Sequence, residues 1–247
     1  MKISIITVVY NARDTIRDTI ESVHRQFYSD IEHIVIDGAS TDGTVEVLES
    51  CRDKIDVLVS EKDHGIYDGL NKGIKLATGE VIGFLNADDV YEDDWVLSRI
   101  ASALANHRYD AVYGDLEYVA KDDLDRVIRY WRAGRFSYRR LGWGWMPPHP
   151  TFYVRRSIYE RLGAFDTSFT IAADFDCMLR FLGPGRVAPA YVPSVLVKMR
   201  LGGVSNRSIG QIIHKMREDY RALRRNQVGG VGALAWKNLS KVRQFFE

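Results

Sequence analysis

The chain has 247 residues, 46% hydrophobic and 27% charged, with a formal net charge of +1. That length carries one large α/β domain or two small ones. The near-zero charge excludes a surface built wholesale for nucleic acid, and no apolar run reaches the roughly 18 residues of a membrane span.

Residues 3–9, ISIITVV, form a continuous β-branched run, as a strand buried on both faces should be. Residues 14–27 place Ile16, Ile20, Val23 and Phe27 on one helical face, with Asp14 as the expected N-cap. A second strand is predicted at 31–37, a helix at 40–50 and a third strand at 55–60. A helix at 67–79 stops at Gly79, a fourth strand follows at 80–86, and 93–107 is again helical. This alternation predicts an α/β fold with a mostly parallel central sheet and helices on both faces.

The second half is less regular. Residues 110–119 alternate like a strand. Residues 128–154 are dense in Arg, aromatics, Gly and Pro and read as one long functional loop. Helices are predicted at 155–163 and 173–183, and the chain from about 206 reads as a basic helical tail. Residues 207–247 carry nine Lys/Arg against three acids, leaving −5 for residues 1–206. Cys51 and Cys177 lie far apart and read as small buried apolar groups. The opening MKISIITVVYN is too strand-like for a signal peptide, so the expected location is cytoplasmic.

In sheets of this kind ligands bind beyond the carboxyl ends of the strands. Polar residues stand at all four ends: Asn11, Asp37, Asp63, and Asn86 with Asp88. The turn VYNARDT has no Gly-x-Gly-x-x-Gly, which removes the dinucleotide-binding reading, and no P-loop is present. Asp37 opens DGASTDGT, where the Asp-Gly pairs are also plain turn signals. Asp88 and Asp89 are adjacent like charges that raise each other's proton affinity. Helix capping would account for them; so would Mg²⁺, which takes one or two carboxylates and completes its shell with phosphate and water. Asp174 and Asp176 sit about 200° apart on a regular helix, so one cleft takes only one of them, and Asp174 is nearer the start. His149 sits between prolines, and the other His residues form no zinc pattern.

Taken together, TVVYN, VIDGASTDGT, DHGIYDGLNKGIKLATGE, GFLNADD and AADFDCMLRF resemble the inverting glycosyltransferases of family two, which have the GT-A fold. GIYDGLNKG, FLNADD and PPHPTF are most similar to bacterial enzymes of surface-polysaccharide assembly, of the colanic acid, capsule or O-antigen type. The resemblance implies a catalytic domain at 1–205 and a basic helical extension at 206–247. It implies that Tyr10, Asn11 and Asp37 line the base and ribose pocket, and that Asp63, Asn71, Lys72, Asn86 and Ala87 contribute to donor binding. Asp88 would coordinate Mg²⁺ or Mn²⁺ on the donor diphosphate, and Asp174 would be the catalytic base. Three positions depart from the family pattern. Asn86 replaces a common first Asp, Leu70 replaces an Arg, and MRLGGVSN at 199–206 fills the region of a late His.

The implied reaction is inverting transfer of a hexose or N-acetylhexosamine from a nucleotide-diphosphate sugar, with UDP the expected carrier. The implied acceptor is a hydroxyl of a growing, lipid-linked polysaccharide. Trp143 and Trp145 would stack on the acceptor, Arg132, Arg135, Arg139 and Arg140 would meet a pyrophosphate, and His149 lies beside them. The basic tail would rest on an anionic membrane, pack on the catalytic domain, or join a second subunit. A nucleotidyltransferase and a non-catalytic sugar-binding module are the competing readings. The first would need a Gly-rich turn after strand one, which VVYNARDT lacks.

Overall fold

The computed structural model describes residues 1–201 and 209–235. Its first half follows the predicted alternation. Strands β1 (Ile3–Val9), β2 (Ile31–Asp37), β3 (Val57–Ser60) and β4 (Val81–Phe84) are linked by helices α1 (Ile16–His24), α2 (Thr44–Ser50) and α3 (Ile66–Leu76). β2, β1 and β4 are adjacent and parallel, with β3 beside β2. All four carboxyl ends therefore share one edge of the sheet.

The continuous apolar runs are explained by cover on both faces. Ile6, Ile34, Ile36 and Phe84 pack into one core with Leu70 of α3. Ile3 and Ile5 pack on the opposite face, with Val96, Ile100 and Leu104 of α4 (Val96–Leu104). Burying one such side chain contributes about 1.5–3 kcal/mol. The two glycines inside α3 report how closely that helix lies on β1. A Cβ on Gly73 would stand 2.4 Å from Ile6 Cγ2, and one on Gly69 would stand 2.8 Å from Val8 Cγ1. Glycine here trades helix propensity for close approach.

Beyond β4 the sheet departs from expectation. Short β5 (Val90–Tyr91) leads to β6 (Ala111–Ala120), β7 (Asp123–Trp131), β8 (Tyr153–Arg155) and β9 (Pro189–Arg200). The strand order is β3-β2-β1-β4-β8-β6-β9-β5, with β7 paired to β6. β8 is antiparallel to both β4 and β6. The segment 128–154 is thus not one loop. Its start continues the largely exposed strand β7, where Arg-rich alternation masked the period-two pattern, and its end enters β8. Between them lie the short helix α5 (Tyr138–Leu141) and a 3-10 turn at His149–Thr151. Asp14 is not the cap of α1. The helix starts after Thr15, without a side-chain cap.

Helices α6 (Arg156–Leu162) and α7 (Ala173–Leu182) cover the β4/β6 face. α8 (Ile209–Arg225) packs on α7, and its Ala222 and Leu223 are fully buried in the same core. Packing on the domain is therefore the arrangement seen for this part of the tail. Arg207, Lys237, Lys241 and Arg243 lie outside the described residues, as does most of 199–206. Cys51 and Cys177 are buried free thiols, as read.

Candidate active site

The polar residues expected at the strand ends meet at the common strand edge. Asn11, past β1, has a left-handed backbone (φ 50). Its N–H donates to Ser40 Oγ at 2.8 Å, and its Oδ1 accepts the N–H of Thr41 at 2.9 Å. Asn11 thereby joins the β1 end to the DGAST loop. Asp37 ends β2 fully buried. Its carboxylate accepts Ser40 Oγ–H at 2.5 Å, Ser60 Oγ–H at 2.6 Å and the Ser40 N–H at 3.1 Å. Here Asp37 organises the loop with all of these bonds inside the protein. Asp63 lies over the same turn: a Cβ on Gly38 would stand 2.8 Å from its Oδ2. Tyr10 is 63% exposed at this rim. Such a ring is available for stacking.

The turn after β4 carries the paired carboxylates. Asp89 is fully buried. Its Oδ2 accepts Asn86 Nδ2–H at 2.7 Å, while its Oδ1 makes no hydrogen bond among the described residues. The backbone of the turn is pinned: Thr15 Oγ donates to Ala87 O at 2.9 Å, and Thr19 Oγ donates to Asp89 O at 2.8 Å. Arg200, at the end of β9, donates to Asp88 O at 3.0 Å and pairs with Asp18 at 2.5 Å. Burial pushes the proton affinity of Asp88 up, against the pull of Arg200. Burial raises that of Asp89 much further, and the charge of Asp88 adds to it. Two under-compensated carboxylates and an orphaned carboxylate oxygen fit a hard cation. Among the described residues no group of three or more His, Cys, Asp or Glu that could by itself hold a metal ion is found. The carboxylates of this turn offer oxygen donors, the kind a hard cation takes.

Asp174 stands in the first turn of α7. Its Oδ1 accepts the N–H of Phe175 at 2.7 Å and the hydroxyl of Tyr67 at 3.2 Å. Tyr67 also donates to Ile171 O at 2.6 Å. Burial, then the charge of Asp174, raise the Tyr67 proton affinity, so it stays a donor. Asp174 Oδ2 accepts no hydrogen bond among the described residues, leaving one oxygen for a proton. Asp176 faces the other way, as expected, and its Oδ1 accepts Asn226 Nδ2–H at 2.9 Å.

His149 bridges the two clusters. Its ring stacks on Phe84 at 5.3 Å, beside the β4 end. Burial lowers its proton affinity, and the charge of nearby Asp174 opposes that. Asn71, Lys72, Trp145 and Arg140 make contacts within the protein. Asn71 makes a two-way amide pair with the main chain of Phe165, at 2.9 and 3.0 Å. Lys72 pairs with Glu61 at 2.8 Å. Trp145 donates its indole N–H to Ala133 O at 2.9 Å and packs edge-on against Tyr113. Trp143 is 57% exposed. Arg140 lies over the Trp145 ring and donates to Arg135 O at 2.7 Å.

Four residues were not singled out from sequence. Tyr67 lies in a quoted motif, but no local signal ties it to Asp174. Arg200 and Glu218 act across long separations. Asp115 is a buried carboxylate in β6 that accepts Tyr130 OH at 2.7 Å, Tyr191 OH at 2.8 Å and the Ala133 N–H at 2.8 Å. Its one signal was an acid within an otherwise inward-facing strand.

The model of the family described as Glycosyl transferase family 2 matches residues 4–169. A PGL/p-HBAD biosynthesis glycosyltransferase of Mycobacterium bovis is 29% identical over 209 residues, covering 82% of this chain and 78% of the relative. An uncharacterized glycosyltransferase of Mycobacterium tuberculosis is 33% identical over 183 residues, covering 72% of this chain and 68% of the relative. Among solved structures, Staphylococcus aureus TarS 1-349 in complex with UDP-GlcNAc superposes with a TM-score of 0.67 at 18% identity, covering 92% of this chain and 66% of that one. The mannosyltransferase PcManGT of Pyrobaculum calidifontis, in complex with GDP-Man and Mn²⁺, superposes at 0.68 and 20% identity, covering 99% and 69%. The chain spans 40% of the longer TarS structure. The likeness to these structures shows the GT-A fold. The match over most of the chain shows more, and the chain belongs to glycosyl transferase family 2.

Proposed function

We propose that this protein is an inverting glycosyltransferase that moves a hexose or N-acetylhexosamine from a nucleotide-diphosphate sugar to an acceptor hydroxyl. The observation that carries this reading is Asp174. One carboxylate oxygen is anchored by Tyr67 and Phe175 N–H, and the other has no protein donor among the described residues. A base held in one orientation contributes on the order of 10²–10⁴-fold. Asp174 Oδ2 would take the proton of the acceptor hydroxyl as that oxygen attacks the anomeric carbon from the face opposite the leaving diphosphate. Tyr10 would stack on the donor's base, with Asn11, Asp37 and Asp63 shaping the ribose side. Asn86 and Ala87 would contact the donor through the pinned turn. Asn71 and Lys72 of α3 would contribute to donor binding from the same edge.

Asp88 would hold Mg²⁺ or Mn²⁺, with Asp89 behind it. When bound, such a cation supplies positive charge where the diphosphate leaves. The neighbouring complexes contain UDP-GlcNAc in one case and GDP-Man with Mn²⁺ in the other. The proposed donor is a UDP-sugar. A thermal-shift panel of UDP, GDP and dTDP with and without Mn²⁺ tests it. A metal-dependent rise with one base supports the reading. No rise with any of them would favour a module that has lost donor binding.

The proposed acceptor is a lipid-linked saccharide reached at the cytoplasmic membrane face. α8 supports this by an inverted pattern. It buries Glu218 and Asp219 but leaves Ile212, Ile213, Met216 and Tyr220 exposed, with Arg217 and Arg224 also exposed. The exposed charges of the helix are thus cations, which suits an anionic lipid surface and opposes a contact with its own copy. No helix among the described residues is long and apolar enough to cross a membrane. Sedimentation with vesicles of phosphatidylglycerol, against phosphatidylcholine alone, tests the contact. Equal recovery in the supernatant with both would overturn it.

A further inference from the structure

We infer that Glu218 of α8 is a positioning residue for Asp174, which makes the C-terminal helix part of the catalytic unit. The inference rests on the reading of Asp174 as the base. The three residues that lead into α7 are Thr170, Ile171 and Ala172. Ala172 stands at the N-cap and has no side chain to cap with. The N–H groups that lead into a helix need acceptors. Glu218 supplies them from 46 to 48 residues away. Its Oε1 accepts the N–H of Thr170 at 2.8 Å, and its Oε2 accepts those of Ile171 at 2.8 Å and Ala172 at 2.9 Å. Thr170 Oγ–H adds a fourth bond at 3.1 Å, and His214 Nε2 lies 3.2 Å from Oε1.

Glu218 is 6% exposed. Burial pushes its proton affinity up, but the three N–H donors outweigh burial and hold it below the ordinary glutamate range. Bonds to a charged acceptor are roughly twice as strong as neutral ones. The same short segment is gripped from its other side: Ile171 O accepts the Tyr67 hydroxyl that also reaches Asp174. The peptide around Ile171 therefore lies between two clamps, one of which touches the base. If Glu218 is lost, this peptide can turn, and Tyr67 and Asp174 Oδ1 move with it. A misplacement of about 1 Å costs on the order of 10²-fold in rate.

A purely adhesive role for α8 makes a different prediction. Arg225 ties the same helix to Asp166, and it bonds none of the Thr170, Ile171 and Ala172 N–H groups. If α8 only adds stability, Glu218 and Arg225 variants should behave alike. The test compares Glu218→Ala, Glu218→Gln and Arg225→Ala with wild type, all as the full chain. The readouts are release of nucleoside diphosphate from UDP-GlcNAc or GDP-mannose, whichever the wild type turns over, and Kd for the matching nucleoside diphosphate. Glu218→Ala is expected to lower kcat per folded enzyme by about 10- to 100-fold with Kd within about twofold. Glu218→Gln, which keeps the shape and one acceptor oxygen, is expected to fall between Ala and wild type. Arg225→Ala is expected to melt earlier yet keep kcat. A Glu218→Ala kcat within twofold of wild type, or an equal kcat loss in Arg225→Ala, overturns the inference alone. An active Asp174→Asn would instead overturn the base assignment beneath it.

Discussion

The Tyr67 hydroxyl stands 3.2 Å from Asp174 Oδ1 and 2.6 Å from Ile171 O, so one group on α3 holds both the carboxylate and the peptide that leads to it. Removing it leaves the ring packed and the carboxylate free to rotate. Tyr67→Phe is expected to lower kcat about tenfold or more, the usual worth of a hydrogen bond to a charged group. Nucleotide affinity should stay unchanged. Steady-state kinetics with calorimetry checks this, and a raised KM with intact kcat would speak against it.

Asp174→Asn keeps shape and removes the proposed base. Transfer is expected to fall by about 10²–10⁴-fold while UDP or GDP affinity is retained. Parallel loss of both would point to a structural defect.

Asp88→Asn should act in the opposite way. It removes one of two carboxylates whose proton affinity burial already raises. The Mn²⁺-dependent part of the nucleotide thermal shift should vanish, and the metal-free melting temperature should hold or rise. Persistence of the full metal-dependent shift would show that the cation sits elsewhere.

Acid stability should fall in two windows, set by neighbours on β2. Burial lowers the His33 pKa from 6.5 to about 4, with the Asp56 charge opposing. The unfolded chain then binds more protons between these values, so stability is full above about 6.5 and declines as pH falls towards 4. That loss is on the order of 3 kcal/mol. Glu32 is a carboxylate whose pKa burial would raise; hydrogen bonds from Ser4, Thr78 and Lys2 win and hold it at about 2. Its stabilisation is present above about 4.5 and is lost as pH falls through 2. Urea unfolding of His33→Asn should flatten only the upper window, and Glu32→Gln only the lower. Unchanged slopes would refute the assignment.

Gly73→Ala tests the packing of α3 on β1. Its new methyl meets Ile6 at 2.4 Å inside a packed core. Overpacking of this kind costs about 1–3 kcal/mol, despite the better helix propensity of Ala. Thermal melting measures it, and an increase in stability would show that α3 can retreat.

Much of this protein was legible in order along the chain. The four parallel strands read as apolar runs because both faces of each are covered, and periodicity reports cover directly. The polar strand ends followed from topology, which is why Asn11, Asp37, Asp63 and Asp88 could be named together. The Asp174/Asp176 division followed from helical spacing. Trp145 shows the limit: its residue type suits an acceptor face, and only the structure adds that its indole N–H donates to Ala133 O and its ring packs on Tyr113. β7 shows another. An exposed edge strand buries too little to leave a clean alternation, and its arginines made it read as loop.

The sequence by itself determined the parallel half of the sheet, the edge where ligands would meet, and the family. Only the tertiary structure decided that β8 runs antiparallel between β4 and β6, that Arg200 closes on the Asp88 turn, and that Tyr67 and Glu218 hold the segment before Asp174. The reason is range. Periodicity and capping signals act within a few residues, whereas Glu218 meets Thr170 across 48 and Tyr67 meets Asp174 across 107. Such partners are chosen by whichever buried N–H or carboxylate the fold leaves unmet, and that is settled only when the helices are packed.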